Sequence, residues 1–379
     1  MTKLKIALVA NNIHFRGGME RYCAELANYL SVDHDIHLFA SEIDDVPLDR
    51  LTIHPVPTVK RPIITLFIQF YMRSTAALKG LDFDIVHTIG GITSSQNVIT
   101  AQYCQHAWGD VLKKSGKSMR GITPYHHFMW RFAGFFEKRA VTNKRTTAII
   151  ANSRKTANDL AKFYNVPESK LHVIYNGVDA KRFTPENIKY RVEIRKSLSI
   201  KDDAILVLFV GEYRRKGLET VIKAVSKVKD KNVVLAAFGR GDKDYHHKIA
   251  QELGIADRVI LSDPYKGIER VFGAGDIFAF PTAYEPFGMV ITEAMASCLP
   301  TITTRSAGAA EFIEDGVNGF LIDDYQDSDS IATIITKLAA DSELRSTVGT
   351  KARAAVESYD WPLVAKKTLD VYRSVTQEK

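Results

Sequence analysis

The chain has 379 residues, 45% hydrophobic and 25% charged, values of an ordinary globular protein that exclude collagen-like and largely disordered classes. No uncharged apolar run approaches the ~18 residues of a membrane span. Three widely spaced cysteines, Cys23, Cys104 and Cys298, exclude a disulfide scaffold and a cysteine metal site and fit a reducing cytoplasm. The net charge of +7 is uneven: residues 1–180 hold 22 Lys+Arg against 15 Asp+Glu, whereas residues 181–379 hold 29 of each. The whole excess lies in the first half, which is therefore expected to face an anionic partner.

Lys3 and Lys5 precede only a short apolar run, residues 6–10. That run is too short for a signal-peptide core and reads as the first buried strand, residues 4–10. Met19, Cys23, Leu26, Ala27 and Leu30 then recur at helical spacing. Further strands are predicted at 36–40, 51–56, 85–87, 97–101, 147–151 and 172–175, and helices at 64–78, 125–142 and 154–164. Ser153 is a candidate N-cap for the last of these. The rhythm restarts with strands at 205–210, 233–238, 259–261, 277–280 and 301–304. Helices are predicted at 218–228, 243–253, 289–297, 330–340 and 343–356. Near-continuous apolar strands between helices imply parallel sheets covered on both faces. Two series imply two doubly wound α/β domains, 1–178 and 179–358, followed by a helical tail, 359–379. Ligands of such sheets bind beyond the carboxyl ends of the strands, so two domains are expected to face a cleft.

Three loops carry chemistry. The segment from Tyr284 to Ala294, YEPFGMVITEA, follows a strand and opens a helix, with Glu285 and Glu293 eight residues apart. Gly288 permits close backbone approach, and the first amides of the helix, near Met289 and Val290, form an anion site. Carboxylates beside an anion site suit a ligand with hydroxyls and phosphate. The second loop is Gly211-Glu212-Tyr213-Arg214-Arg215-Lys216-Gly217, whose consecutive cations suit phosphate. The third holds Gly17 and Gly18 after the first strand; it lacks the spacing of the dinucleotide fingerprint.

Taken together, Tyr284-Glu285-Pro286-Phe287-Gly288 with Glu293, the pair Gly17-Gly18, Arg215 with Lys216, and Asn176-Gly177-Val178-Asp179 followed by Phe183 resemble the family-4 retaining glycosyltransferases, over residues 4–376. The resemblance implies the GT-B fold: two Rossmann-like domains, the first for the acceptor and the second for a nucleotide sugar, with a C-terminal helix at 361–375 crossing back to the first. It implies a donor linked to UDP or GDP and neither cofactor nor metal. By the same resemblance Glu293 would bind ribose hydroxyls and Glu285 the donor sugar. Phe287, Gly288, Met289 and Val290 would line the donor. Gly17, Gly18 and Gly211 would let backbone approach it, and Arg215 and Lys216 would neutralise the diphosphate. The implied reaction is hexosyl transfer with retention, leaving group and acceptor hydroxyl sharing one face of the sugar. The family often carries His or Asp beyond the strand at 97–101; here Gln102 stands there, with His106 four positions later, so both are candidates for the catalytic polar group.

Residues 110–145 account for the charge asymmetry, and 108–139 are the part expected to meet a membrane. Lys113, Lys114, Lys117, Arg120, Arg131, Lys138, Arg139, Lys144 and Arg145 face only Asp110 and Glu137. Trp108, Tyr125, Phe128, Met129, Trp130, Phe132, Phe135 and Phe136 are interleaved, and Lys60, Arg61 and Arg73 flank the apolar stretch 63–72. Basic residues with exposed aromatics suit an anionic membrane surface. The expected protein is thus cytoplasmic, peripheral at the inner face of a membrane, and acts on a glycan or lipid-linked acceptor such as a lipopolysaccharide core. The competing readings are a sugar-nucleotide epimerase or phosphorylase of the same architecture, and a nucleic-acid binder. The last lacks any reader module and leaves the glutamate pair unexplained.

Overall fold

A computed structural model describes residues 3–59, 61–115 and 124–377. The chain forms two units, Met1–Gly177 with Trp361–Lys379, and Val178–Asp360.

In the first unit the elements run β1 (Lys5–Val9), β2 (Asn12–Ile13), α1 (Gly18–Leu30), β3 (Asp35–Ala40), β4 (Glu42–Ile43), β5 (Leu51–Pro55), α2 (Ile63–Leu78), β6 (Ile85–Ile89), β7 (Val98–Ala101), α3 (Gln105–Ser115), α4 (Pro124–Val141), β8 (Ala148–Ala151), α5 (Arg154–Tyr164) and β9 (Leu171–Val173). Seven strands form one parallel sheet, β5-β3-β1-β6-β7-β8-β9. Ile6, Leu8 and Val9 are wholly buried, as strands covered on both faces require. Ser153 caps α5 as expected, accepting the Thr156 amide at 3.0 Å. The short strands β2 and β4 pair apart from the main sheet.

The second unit contains α6 (Arg191–Ser197), β10 (Ile205–Val210), α7 (Leu218–Lys227), β11 (Val233–Phe238), α8 (Lys243–Glu252), β12 (Val259–Ser262), α9 (Ile268–Ala274), β13 (Ile277–Phe280), α10 (Met289–Ala296), β14 (Thr301–Thr304), β15 (Phe320–Ile322), α11 (Ser328–Ala340) and α12 (Ser342–Val356). Its six strands are again all parallel, β12-β11-β10-β13-β14-β15.

The last helix, α13 (Trp361–Gln377), belongs to the first unit. Trp361 meets Tyr22 of α1 edge to face at 6.1 Å. The Tyr372 hydroxyl lies 2.5 Å from His87 Nδ1, and His87 Nε2 lies 2.6 Å from Thr100 Oγ1. Burial drives the His87 pKa down to about 3, so this imidazole is neutral and serves as a hydrogen-bonded core group.

The structure alters one expectation about the basic aromatic segment. Trp108 is 6% exposed and sits in the core with Leu112, because α3 turns that face inward. Phe132 and Phe136 of α4 pack on Phe67 of α2. Tyr125, Phe128 and Phe135 do remain exposed. Lys60, Lys117 and Arg120 lie outside the described residues.

One buried ion pair fastens the start of the second unit. Arg195 of α6 is fully buried and donates to Asp276 Oδ2 at 2.6 Å and to the carbonyls of Ala204 and Ala274. Asp276 also accepts Arg191 at 2.8 Å and the Leu206 amide at 2.7 Å. Removing the carboxylate would leave a guanidinium buried without countercharge. Asp276→Ala is therefore expected to lower stability by about 3–5 kcal/mol, seen as a fall in the urea midpoint; an unchanged midpoint would show that the pair is energetically neutral.

Candidate active site

Strand order reverses between β10 and β13 in the second unit and between β1 and β6 in the first. At such switch points the loops leaving the two strands diverge to opposite faces and open a crevice. Both places hold residues singled out in the sequence.

In the second unit, the loop after β10 brings in Lys216 and the loop after β13 brings in Glu285. Their side chains form an ion pair, Lys216 Nζ to Glu285 Oε2, with only 9% and 15% of the side chains exposed. Burial presses the Lys216 pKa below the usual lysine range, while the Glu285 charge opposes that fall. The ammonium also stands 5.7 Å from the Phe280 ring centroid. The loop holding Lys216 is shaped by Glu212, whose carboxylate accepts the amides of Arg214 and Arg215. The Tyr213 hydroxyl anchors it, donating 2.5 Å to the Ser262 carbonyl. Arg215 is half-buried.

The segment around Glu285 is clamped to the loop after β14. The Gly308 amide donates to the Glu285 carbonyl at 2.9 Å and the Ala309 amide to the Phe287 carbonyl at 2.7 Å. Phe287 is 1% exposed and packs its ring near Phe312, so its side chain belongs to the core. Gly288 adopts φ +95° as the N-cap of α10, a conformation natural to glycine. Met289 and Val290 are the first two helical residues, whose amides have no intrahelical carbonyl to bond. Glu293 lies one turn further on and is half-buried.

Backbone crowding sets the neighbouring loop after β11. A Cβ on Gly239 would lie 1.7 Å from the Gly211 carbonyl oxygen, so the two loops touch only because that side chain is absent. Gly211 itself lies beside Lys216 and Phe280.

In the first unit, Gly17 and Gly18 open α1 beyond β1. A Cβ on Gly17 would strike the Glu20 carboxylate at 2.2 Å, whereas one on Gly18 would meet nothing within 4 Å. A cavity of about 210 Å³ lies at this switch point, lined by Asn11, Met19, Glu20, Phe67, Phe70 and Ile92 among others. The Asn11 Oδ1 atom is buried and has no hydrogen-bond partner among the described residues.

Gln102 and His106 are separated in role. Gln102 is 8% exposed, and its Oε1 accepts Asn152 at 3.0 Å and Asn176 at 3.2 Å while its Nε2 faces Asn176 Oδ1 at 3.3 Å. Its amide ties together the chain beyond three strands. His106 is exposed at the start of α3, and its Nδ1 lies 2.9 Å from the Tyr164 hydroxyl. Sequence reasoning passed over Tyr164 and Glu137, which complete this cluster. The available signal was Glu137 itself, a lone acid among cations and aromatics. Among the described residues no group of three His, Cys, Asp or Glu side chains could hold a metal ion.

Comparison with known proteins agrees with this layout. Residues 16–182 match the model of Glycosyltransferase Family 4, and residues 191–355 that of Glycosyl transferases group 1. The chain is 26% identical to the uncharacterized glycosyltransferase MJ1607 of Methanocaldococcus jannaschii, over 98% of each chain. Among solved structures it resembles WaaG, a glycosyltransferase involved in lipopolysaccharide biosynthesis, with 21% identity, a TM-score of 0.81, and coverage of 97% of this chain and 99% of that one. It also resembles Anabaena HepE in complex with UDP-glucose, with 20% identity, a TM-score of 0.72, and coverage of 98% and 100%.

The glycines permit a paired test. Gly239→Ala is expected to lower stability by about 1–3 kcal/mol through overpacking, read as a lowered melting temperature. Gly18→Ala has room and should melt like the wild type. If Gly18→Ala melts normally yet loses affinity for a nucleoside diphosphate, the Cβ has entered space that a ligand needs; unchanged affinity would remove Gly18 from the donor site.

Proposed function

The chain belongs to the family-4 glycosyltransferases of the GT-B fold, and on that basis we propose that it transfers a hexose, with retention and without a metal ion, from a UDP- or GDP-linked sugar to an acceptor hydroxyl. The observation that carries this reading is the buried Lys216–Glu285 pair at the switch point of the second unit. Glu285 keeps a cation charged in a buried place, so the positive charge is present before a donor arrives. Charge builds on the diphosphate as the glycosidic bond breaks, and a preorganised cation needs no reorganisation to meet it. Arg215 supplies the second cation, and the amides of Met289 and Val290 supply hydrogen bonds. Glu293 would accept from the ribose hydroxyls. UDP-glucose in the HepE complex supports a nucleotide sugar as donor.

The acceptor belongs to the first unit. Its cavity joins apolar walls, Phe67, Phe70 and Ile92, to one unpaired carbonyl oxygen on Asn11. That combination suits a hydroxyl-bearing acceptor with an apolar portion, and an acceptor of the lipopolysaccharide or glycolipid class fits it. Exposed residues of α2 and α4, the helices beside the cavity, support a membrane-bound acceptor. Ile63 and Met72 of α2 and Phe128 and Phe135 of α4 are each more than half exposed, and Arg61, Arg73, Arg131, Lys138 and Arg139, in or next to the same helices, are exposed too. No described helix is long and apolar enough to cross a membrane, so contact would be peripheral.

The reading is tested by mixing the protein with a panel of nucleotide sugars and measuring nucleoside diphosphate release; no release from any donor would reject it. Arg215→Ala and Lys216→Ala should each lower turnover more than they weaken donor binding, because leaving-group charge is greatest in the transition state. Equal losses would indicate plain ground-state phosphate binding, and loss of activity in EDTA would overturn the metal-free mechanism.

For the membrane face, sedimentation with anionic vesicles is expected, without sedimentation with neutral ones and weakening as salt rises. Each cation near the surface contributes about 1 kcal/mol, so charge reversal at Arg131, Lys138 and Arg139 should release the protein. Binding indifferent to lipid charge would reject this surface.

A further inference from the structure

Three helices of the first unit meet at a chain of polar groups that the transfer mechanism above does not use. Glu137 of α4 accepts the Gln105 amide at 2.8 Å through Oε2, and the same oxygen accepts the Tyr164 hydroxyl. The Tyr164 oxygen lies 2.9 Å from His106 Nδ1, and the two rings stand edge to face at 4.9 Å. The imidazole has been given room. A Cβ on Gly134, in the body of α4, would lie 2.8 Å from His106 Cε1 and 2.9 Å from Nδ1. Glycine inside a helix is destabilising relative to alanine, and the histidine ring occupies the space so released.

The proton positions follow from donor and acceptor capacity. An ionised carboxylate can only accept, and a tyrosine hydroxyl has one proton. When Glu137 is ionised, the Tyr164 proton lies towards it. The Tyr164 oxygen can then only accept, so the shared proton of the second bond is on His106 Nδ1. A neutral imidazole carries one proton, which leaves Nε2 with its lone pair. Among the described residues no group bonds Nε2, and His106 is exposed.

We infer that Glu137 and Tyr164 are positioning residues that fix His106 as the Nδ1–H tautomer, so that Nε2 is offered as the acceptor for a hydroxyl of a sugar substrate. The identity of that hydroxyl rests on the glycosyl-transfer reading; the tautomer does not.

Burial and the surrounding charges keep the arrangement intact at alkaline pH, above the Glu137 titration. Burial, then Lys138, Lys113 and Arg131, hold the His106 pKa below the usual histidine range, so the ring stays neutral. Burial raises Glu137 to about 7, against the opposing bonds from Tyr164 and Gln105. Burial and the Glu137 charge raise the Tyr164 pKa, so the phenol keeps its proton. Cys104 is buried close by, and burial followed by the Glu137 charge pushes its thiol up to about 12. The tautomer is thus imposed above the Glu137 titration and released below it, as protonation gives Glu137 a proton of its own to donate.

The test is nitrogen-15 NMR of the His106 side chain in the full-length protein, without substrate, at alkaline pH. Nε2 is expected to resonate as the unprotonated nitrogen and Nδ1 as the protonated one. A protonated Nε2 in the wild type would overturn the proposal. Tyr164→Phe should return the ring towards the Nε2–H form that neutral histidine prefers in water, and Gly134→Ala should do the same by displacing the ring; an unchanged tautomer in both would overturn it. With an active donor, Tyr164→Phe should lower kcat at least about tenfold, in the direction of the loss caused by a wrong-tautomer histidine, with little change in donor KM. A changed tautomer with unchanged kcat would refute the substrate role of Nε2. Because the spectrum needs no substrate, a silent donor panel would count against glycosyl transfer and not against the tautomer.

Discussion

Every strand of the two large sheets runs in the same direction as its neighbours, and that constraint shapes the rest of the molecule. Parallel pairing demands a crossover after each strand, so each unit collects its strand-to-helix loops at one edge. There the chain has unpaired amides, positive helix ends and freedom of sequence. Where the order of strands reverses, two adjacent loops part company and leave room. The Lys216–Glu285 pair and the cavity beside Asn11 both stand at such reversals, so chemistry has collected where topology leaves a gap.

The second-unit site combines two expensive features. A lysine and a glutamate are withdrawn from water, which favours the fold only weakly at best. A loop is pressed against another so closely that glycine is required at 239. Neither feature is explained by stability. Both make sense if the edge must present a fixed positive charge and bare backbone to an anionic ligand. Arg195 provides a contrast. It too is buried with a carboxylate, but its remaining donors end on backbone carbonyls of the same unit, and nothing in that arrangement is left over for a ligand.

Much of this was legible in the sequence, and the reasons for the gaps are physical. The strands around β1 and β10 announce themselves because burial on both faces requires unbroken apolar runs. The loop from Tyr284 and the cations at 214–216 were visible because they interrupt such runs with charge. By contrast, β15 has three residues and β2 and β4 two each, too few for any period. Helix α3 was hidden inside a segment read for charge, and with it the inward turn of Trp108. The pairing of Lys216 with Glu285 could not be read, because the two are 69 positions apart and only strand order brings them together. Likewise the bonds from the Gln102 amide, a candidate polar group in the sequence, to Asn152 and Asn176 could not be read, because those residues lie 50 and 74 positions further on.

The place of α13 has a consequence for biogenesis. The core of the first unit includes Trp361, Tyr372 and Val375, residues that are made only after the whole of the second unit. The second unit is a continuous stretch of chain, Val178–Asp360, and has all its own strands before those residues are made. The first unit therefore completes its packing only after the chain of the second has been made. Until then β6 lacks the phenol that pairs with His87, and one face of α1 has no cover. A nascent chain stalled shortly after Asp360 would carry a finished second unit and an open first one, the kind of exposed apolar surface that chaperones hold.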